Sequence, residues 1–353
     1  MDNTKESKVQ EEASFGDISN MLYSGYLPGI IKTSVEAGIF ELLDDKSLSS
    51  EEISAQLNSN PLVTDALLKV LEAVDLLKGK EGNYTLSPTS QNYLVKSSDI
   101  NQLLVLDKTI TKDSEFPALS EALFGKEEQE KANHDRLHSV PWARMENLLL
   151  MNERAKGGSE QAAASFAESI PGFEDCRKMI DFVGNTGYHA LAILDKNQEL
   201  QAHVYDLPEV CENAKKVQQG HASFEKLTYH GFDLRNHDPF GEDYDLFFLS
   251  NYLYGLSKNA MVEFFKKVNK SMVKGGIFIS NHMTSEVDGD LYLRHTIFEL
   301  MGTIRKRLPH QLDEGLLEEV LRETGFDDFQ VKQPGQSLPL PMLLLAAKKV
   351  KDI

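Results

Sequence analysis

Apolar residues along this chain recur with two rhythms. From Ile18 to about Leu94 they return at helical spacing, interrupted at Pro28, Pro61 and Pro88. Ser49-Ser50-Glu51-Glu52 reads as a helix start, because a serine oxygen can accept an orphan backbone N–H and early acids suit the positive helix end. That helix turns Ile53 and Leu57 inward. A second helix is expected from Leu62 to Leu77, with Leu67, Leu68, Leu71, Val74 and Leu77 on one face. Lys78 to Asn83 reads as a tight turn and Tyr84-Thr85-Leu86 as a short strand. Helix, turn, helix and a small β-wing make a winged-helix arrangement. From Ile100 to Gly172 the pattern stays helical, with a polar break from Gly125 to Asp135. An amphipathic helix is expected from Trp142 to Met151, and another stretch around Ala162 to Phe166.

From Asp181 onward the rhythm changes to strands alternating with helices. Val204-Tyr205 ends in Asp206 and leads to a helix from Val210 to Gln219. Leu227-Thr228-Tyr229 precedes Gly231-Phe232-Asp233. Tyr244 to Ser250 reads as a buried strand, followed by a helix from Lys258 to Met272. Lys274-Gly275-Gly276 is expected to turn the chain into the strand Ile277 to Ser280. After a helical stretch from Leu291 to Arg307, a last helix runs from Asp313 to Thr324. Phe329-Gln330-Val331 and Met342 to Ala347 should then pair as a hairpin through Pro334 to Pro341. Such alternation gives a mostly parallel α/β sheet with helices on both faces, and ligands sit outside the carboxyl ends of its strands.

Composition narrows the partners. With 353 residues the chain can hold one large or two ordinary domains. A net charge of −18 argues against nucleic acid or an anionic membrane as partner, since both select basic surfaces. The expected second helix of the winged unit carries Asp65, Glu72 and Asp75 against Lys69 alone, so a structural or dimerising role is expected rather than DNA binding. No apolar run reaches the roughly 18 residues a membrane helix needs. Cys176 and Cys211 have no metal-ligand spacing, and with a polar N-terminus they suggest a cytoplasmic protein.

The chemistry gathers at the strand ends. Asp181-Phe182-Val183-Gly184-Asn185-Thr186-Gly187 is a strand end, a glycine-bearing turn and a helix start in succession. Such a turn brings backbone close to a ligand and offers unpaired N–H groups at the helix N-terminus. Asp206 follows about 20 residues later, where a carboxylate grips a ribose diol, and Asp233 is placed to meet an adenine. Each acid alone also suits a helix N-cap. In this order, with Ser250 at the next strand end, they read as one nucleotide-type pocket.

These segments resemble the S-adenosylmethionine-dependent methyltransferases of the plant O-methyltransferase and acetylserotonin O-methyltransferase type. The resemblance rests on Glu36 to Leu43, Tyr84 to Pro88, Met151, Asp181 to Gly187, Val204 to Val210, Val273 to Gly276 and Thr324-Gly325-Phe326. It implies an N-terminal winged-helix dimerisation domain and a C-terminal Rossmann-like methyltransferase sheet. The corresponding division is a tail at 1–12, a dimerisation domain at 13–100, a helical linker at 101–175 and a catalytic domain at 176–353. Cofactor contacts would come from Asp181, Gly184, Asn185, Gly187, Asp206, Leu207, Asp233, Leu234 and Ser250. Trp142, Met145, Met151, Tyr254, His295 and Phe298 would line the acceptor site. The implied partners are a small-molecule substrate and a second copy of the chain through the N-terminal domain.

Two departures qualify the activity. The family turn reads Asp-Val-Gly-Gly-Gly-Thr-Gly, so Val183 and Asn185 replace glycines. Asn tolerates positive φ, whereas a branched valine does not, so either the turn has changed shape or cofactor affinity has fallen. After the buried strand, Tyr254 and Leu256 stand where the family has its catalytic histidine and a tryptophan. A tyrosine is a poor base at neutral pH. His282, His295 and His310 are the remaining catalytic candidates beside Tyr254. The implied reaction is methylation of a small aromatic or conjugated metabolite, on oxygen first, with carbon or sulfur as alternatives, by proximity and orientation rather than a histidine base. A cofactor fold repurposed for another reaction and a non-enzymatic dimeric regulator are the competing readings.

Overall fold

The protein is described from a computed structural model, which covers residues 21, 24–110, 143–232, 241–284, 295, 298, 312, 315–333, 338 and 341–353. The chain divides into two compact units, Met1–Lys112 and Asp113–Ile353.

In the first unit, α1 (Leu27–Glu36) and α2 (Ile39–Leu42) lead to a two-residue strand β1 (Leu48–Ser49). Helix α3 (Ser50–Leu57) starts as its sequence predicts: the Ser49 side chain accepts the Glu52 N–H while Glu52 reaches back to the Ser49 N–H. Helix α4 (Pro61–Ala73) is shorter than expected, because Leu77 belongs to β2 (Leu77–Lys80). The tight turn shrinks accordingly to Glu81 and Gly82, both at positive φ, before β3 (Asn83–Leu86). The three strands pair antiparallel in the order β1-β3-β2. Helices α5 (Pro88–Tyr93) and α6 (Leu103–Thr109) follow. Ile39, Phe40, Leu43, Ile53, Leu68, Leu71 and Leu77 form the core of this unit, so the helical periodicity did mark its buried face.

The second unit is built on a seven-stranded sheet of order β6-β5-β4-β7-β8-β10-β9. Its strands are β4 (Lys178–Phe182), β5 (Gln201–Asp206), β6 (Leu227–Gly231), β7 (Tyr244–Ser250), β8 (Met272–Met283), β9 (Phe326–Lys332) and β10 (Met342–Lys349). The first five are parallel, and β10 runs antiparallel between β8 and β9. The chain builds outward from β4 in one direction and then returns to add β7 on the other side. The order therefore reverses at the carboxyl end of β4, where a ligand crevice opens in such sheets.

Helices α7 (Met145–Ala155), α8 (Ser159–Glu168), α9 (Tyr188–Lys196), α10 (Pro208–Gln218), α11 (Lys258–Ser271) and α12 (Leu316–Glu323) complete the unit. Ala163, Ala164 and Ala167 of α8 join Ala190, Ile193 and Leu194 of α9 on one face of the sheet, where small side chains permit close approach. Phe182, Phe247, Phe264, Phe265, Phe278 and Phe326 fill the other face with α11 and α12 in a mixture of edge-to-face and tilted contacts. Gly275 and Gly276 do not separate helix from strand as expected. They lie within β8, Gly275 at φ +85°, where the β7–β8 register shifts.

Candidate active site

The turn after β4 is held mostly by the neighbouring strand. Val183, Asn185 and Gly187 have φ of +57°, +53° and +78°. The Val183 N–H donates to the Tyr205 carbonyl at 2.8 Å, and the Asn185 N–H donates to Asp206 Oδ2 at 2.9 Å. Asn185 steadies its own left-handed backbone by accepting the Thr186 N–H on Oδ1 at 2.9 Å. Val183 keeps a left-handed backbone despite its branched side chain, which packs beside the phenylalanine core.

Residues unmarked by any sequence motif brace this turn. Asn152 of α7 accepts the Thr186 hydroxyl at 3.1 Å and also the Gln218 amide of α10. The Tyr229 hydroxyl of β6 donates to the Thr186 carbonyl at 2.8 Å. Helix α7 and strand β6 thus converge on one threonine, with α10 steadying Asn152 behind it. A lone Asn on an amphipathic helix carries no signal by which sequence could have found it.

Two buried carboxyls face this turn. Asp181 is 1% exposed and Asp206 is 5% exposed. Burial, then the nearby Asp206 charge, pushes the Asp181 carboxyl up to about 7, against the pull of the Ala190 N–H. Burial also raises Asp206, to about 6, although the Leu207 and Asn185 N–H groups favour its ionised form. Leu207 donates to Asp206 Oδ1 at 2.7 Å, so both oxygens are aimed by backbone and each retains a lone pair. The Leu207 side chain instead packs with Ala143, Leu148 and Val210. Asp181 Oδ2 is buried with no hydrogen-bond partner among the described residues. A Cβ on Gly184 would lie 2.6 Å from that carboxyl group, which explains the glycine there.

The rim formed by β7 and β8 is strongly cross-linked. Tyr254 is buried against Met283, Leu338 and Met342. Its hydroxyl accepts the Met283 N–H and donates to Asn251 Oδ1 at 2.9 Å. Asn251, at φ +52°, donates its own N–H to the Asn281 carbonyl at 2.9 Å. Ser250 Oγ accepts from the Asn281 and Asn251 side-chain amides at 3.2 and 3.3 Å. Tyr254 therefore ties the loop after β7 to the end of β8, and Ser250 is knitted into the same network. Leu256 packs partly buried against the phenylalanine core.

His282 Nδ1 lies 3.0 Å from Ser280 Oγ, and burial lowers its pKa to about 4, so it is neutral at pH 7. His295 is 3% exposed, with no partner for Nδ1 among the described residues, and Phe298 packs against the Tyr254 cluster. Met145 and Met151 are half-buried on α7. Trp142, Asp233, Leu234 and His310 lie outside the described residues.

Residues 145–327 match the family model of the O-methyltransferase domain. The chain belongs to the S-adenosylmethionine-dependent O-methyltransferase family. Residues 20–96 match the O-methyltransferase dimerisation domain. An uncharacterised protein of Methanocaldococcus jannaschii is 23% identical over 255 residues, covering 71% of this chain and 65% of that protein. A myricetin 3'-O-methyltransferase of Solanum lycopersicum is 23% identical over 71% of this chain and 72% of its own length. Human N-acetylserotonin methyltransferase, solved with S-adenosylmethionine, shares the fold at a TM-score of 0.67 and 19% identity, over 98% of this chain and 100% of that one.

The residues present fit the family cofactor. An unpartnered buried carboxyl oxygen on Asp181 wants a donor, as an ammonium group supplies. Asp206 keeps lone pairs for a diol beside the point where the strand order reverses between β4 and β7. Gly187 takes a left-handed φ at the start of α9, and a Cβ there would lie 3.2 Å from Val204. Among the described residues there is no cluster suited to a metal ion, and no helix long and apolar enough to cross a membrane.

Proposed function

We propose that this protein methylates a hydroxyl group on a small aromatic or conjugated metabolite, acting as a homodimer through its N-terminal unit. The observation that carries the reading is the acid pair at the ends of β4 and β5, with Asp181 Oδ2 buried and unpartnered beside a turn that keeps its left-handed positions. S-adenosylmethionine, when bound, supplies an electrophilic methyl group. Asp181 would hold its ammonium end and Asp206 its ribose diol, fixing where the methyl carbon points. The apolar group of Tyr254, Met283, Leu338 and Met342 offers a water-poor flank for a flat acceptor. Orientation of two bound reactants can supply up to roughly 7–11 kcal/mol. The loop after β7 contributes rigidity to that arrangement and no histidine. The match to the dimerisation family supports the homodimer.

Calorimetry with S-adenosylhomocysteine tests the pocket, and labelled S-adenosylmethionine with myricetin, caffeic acid, N-acetylserotonin, thiols and enols tests transfer. Binding that weakens at least tenfold in Asp206→Ala, together with label in a phenolic product, is the expected result. No heat at millimolar ligand would sink the cofactor reading. Tight binding with no labelled product from any acceptor favours a second reading, a cofactor fold turned to another reaction. The observations favouring that reading are the strained Val183 and the hydroxyl of Tyr254 engaged within the protein.

A further inference from the structure

We propose that Asn152 is a positioning residue for the cofactor, acting through Thr186 on the turn that leads into α9. Helix α9 starts from Gly187 at φ +78°, and a glycine brings no side chain to cap the first backbone N–H groups. Val183, earlier in the turn, holds left-handed backbone against the preference of its branched side chain. The conformation of this segment is therefore set by what grips it from outside, and the grip falls on the residue just before the helix start. Thr186 is fully buried, and all three of its polar groups are engaged. Its N–H donates to Asn185 Oδ1 at 2.9 Å, its carbonyl accepts the Tyr229 hydroxyl at 2.8 Å, and its own hydroxyl donates to Asn152 Oδ1 at 3.1 Å.

Asn152 differs from the other two partners. Asn185 belongs to the turn itself, and Tyr229 lies on β6 within the sheet. Asn152 reaches in from α7, which precedes the first strand of that sheet in the chain. It is 8% exposed and sits inside a helix, where a buried amide is costly unless it is bonded. Its oxygen takes two donors, the Thr186 hydroxyl and the Gln218 amide of α10, the latter at 2.5 Å. The Gln218 bond aims the oxygen, and the Thr186 bond passes that aim to the turn. A link between α7 and α10 for packing alone would need only the Gln218 contact. With Thr186 added, α7 sets the direction of the turn peptides and of the N–H groups that open α9, which have no partner within the helix. This assignment rests on the reading that the turn after β4 holds the cofactor, and it concerns how tightly the cofactor is held there.

Calorimetry of the full chain with S-adenosylhomocysteine decides the matter. Thr186→Val keeps the side-chain shape and removes the hydroxyl, so it should weaken binding about tenfold. Thr186→Ser keeps the hydroxyl and should stay within about twofold of wild type. Asn152→Ala should match Thr186→Val, and the double variant should bind no more weakly than either single one, because both changes remove the same link. The Thr186 pair decides alone if Asn152→Ala does not fold. Unchanged affinity in Thr186→Val overturns the proposal, even where its denaturation midpoint falls, since that would show a packing role only. Fully additive losses in the double variant overturn it as well. Asp206→Ala separates this assignment from the reading beneath it. If that change leaves binding intact, the turn is not the cofactor site and both fall. Binding that weakens in Asp206→Ala but not in Thr186→Val sinks only the role given to Asn152.

Discussion

Of the seven residues from Asp181 to Gly187, three have positive φ, and one of them is a valine. Left-handed backbone costs a non-glycine residue roughly 1–2 kcal/mol. Val183→Gly relieves that strain but loses apolar packing and widens the unfolded ensemble, which costs about 0.5–1 kcal/mol. Global stability should therefore move by no more than about 1 kcal/mol in denaturant melts, while S-adenosylhomocysteine binds more tightly once the branch is gone. Weaker binding in calorimetry would show that the side chain does not crowd the cofactor. Asp181 makes a second prediction. Its folded pKa, about 7, is raised above the unfolded value, so the folded state holds the extra proton between about pH 4 and 7. Its contribution to stability is full below pH 4 and is lost as pH rises through 7. The difference in melting temperature between wild type and Asp181→Asn should thus change in favour of the asparagine as pH rises across that window. A pH-independent difference would mean that Asp181 is ionised throughout.

At the scale of elements, Tyr254 is the test of how the rim is built. Tyr254→Phe leaves the Met283 N–H and Asn251 Oδ1 without their partner, a loss of about 1–3 kcal/mol in chemical denaturation. An unchanged stability with a large fall in kcat would instead show that the hydroxyl acts on the acceptor. Sequence singled out Tyr254 as standing where the family has its histidine, but it could not see that β8 supplies the partner, because that contact joins residues 29 positions apart. The same limit applied elsewhere. The carboxylate of Asp206 was legible from its spacing to the turn, whereas Asn152, which braces the turn through Thr186, was not. Helix ends with side-chain caps, such as Ser49 and Ser257, fell where the sequence put them. The boundary of α4 did not, because Leu77 suits a helix face and a wing strand equally well.

For the whole molecule, the strand–helix alternation gave the sheet, and the charge of −18 sets how the fold responds to its medium. Most of the ion pairs described here are exposed, such as Lys69 with Asp65 and Lys215 with Glu212, and contribute little. Self-repulsion among the excess acids should dominate, so raising salt from roughly 20 to 200 mM, which shortens the Debye length, should raise the melting temperature. A fall would show that local pairs outweigh the net charge. The insertion of β10 between β8 and β9 has a consequence for biosynthesis. Among the described strands of the sheet, an interior one comes last in the chain. Until Met342 to Lys349 have left the ribosome, β8 presents an open apolar edge and β9 has nothing to pair with. The catalytic unit therefore completes its core only after translation has passed β10, and in that interval the nascent chain most needs the protection that chaperones give.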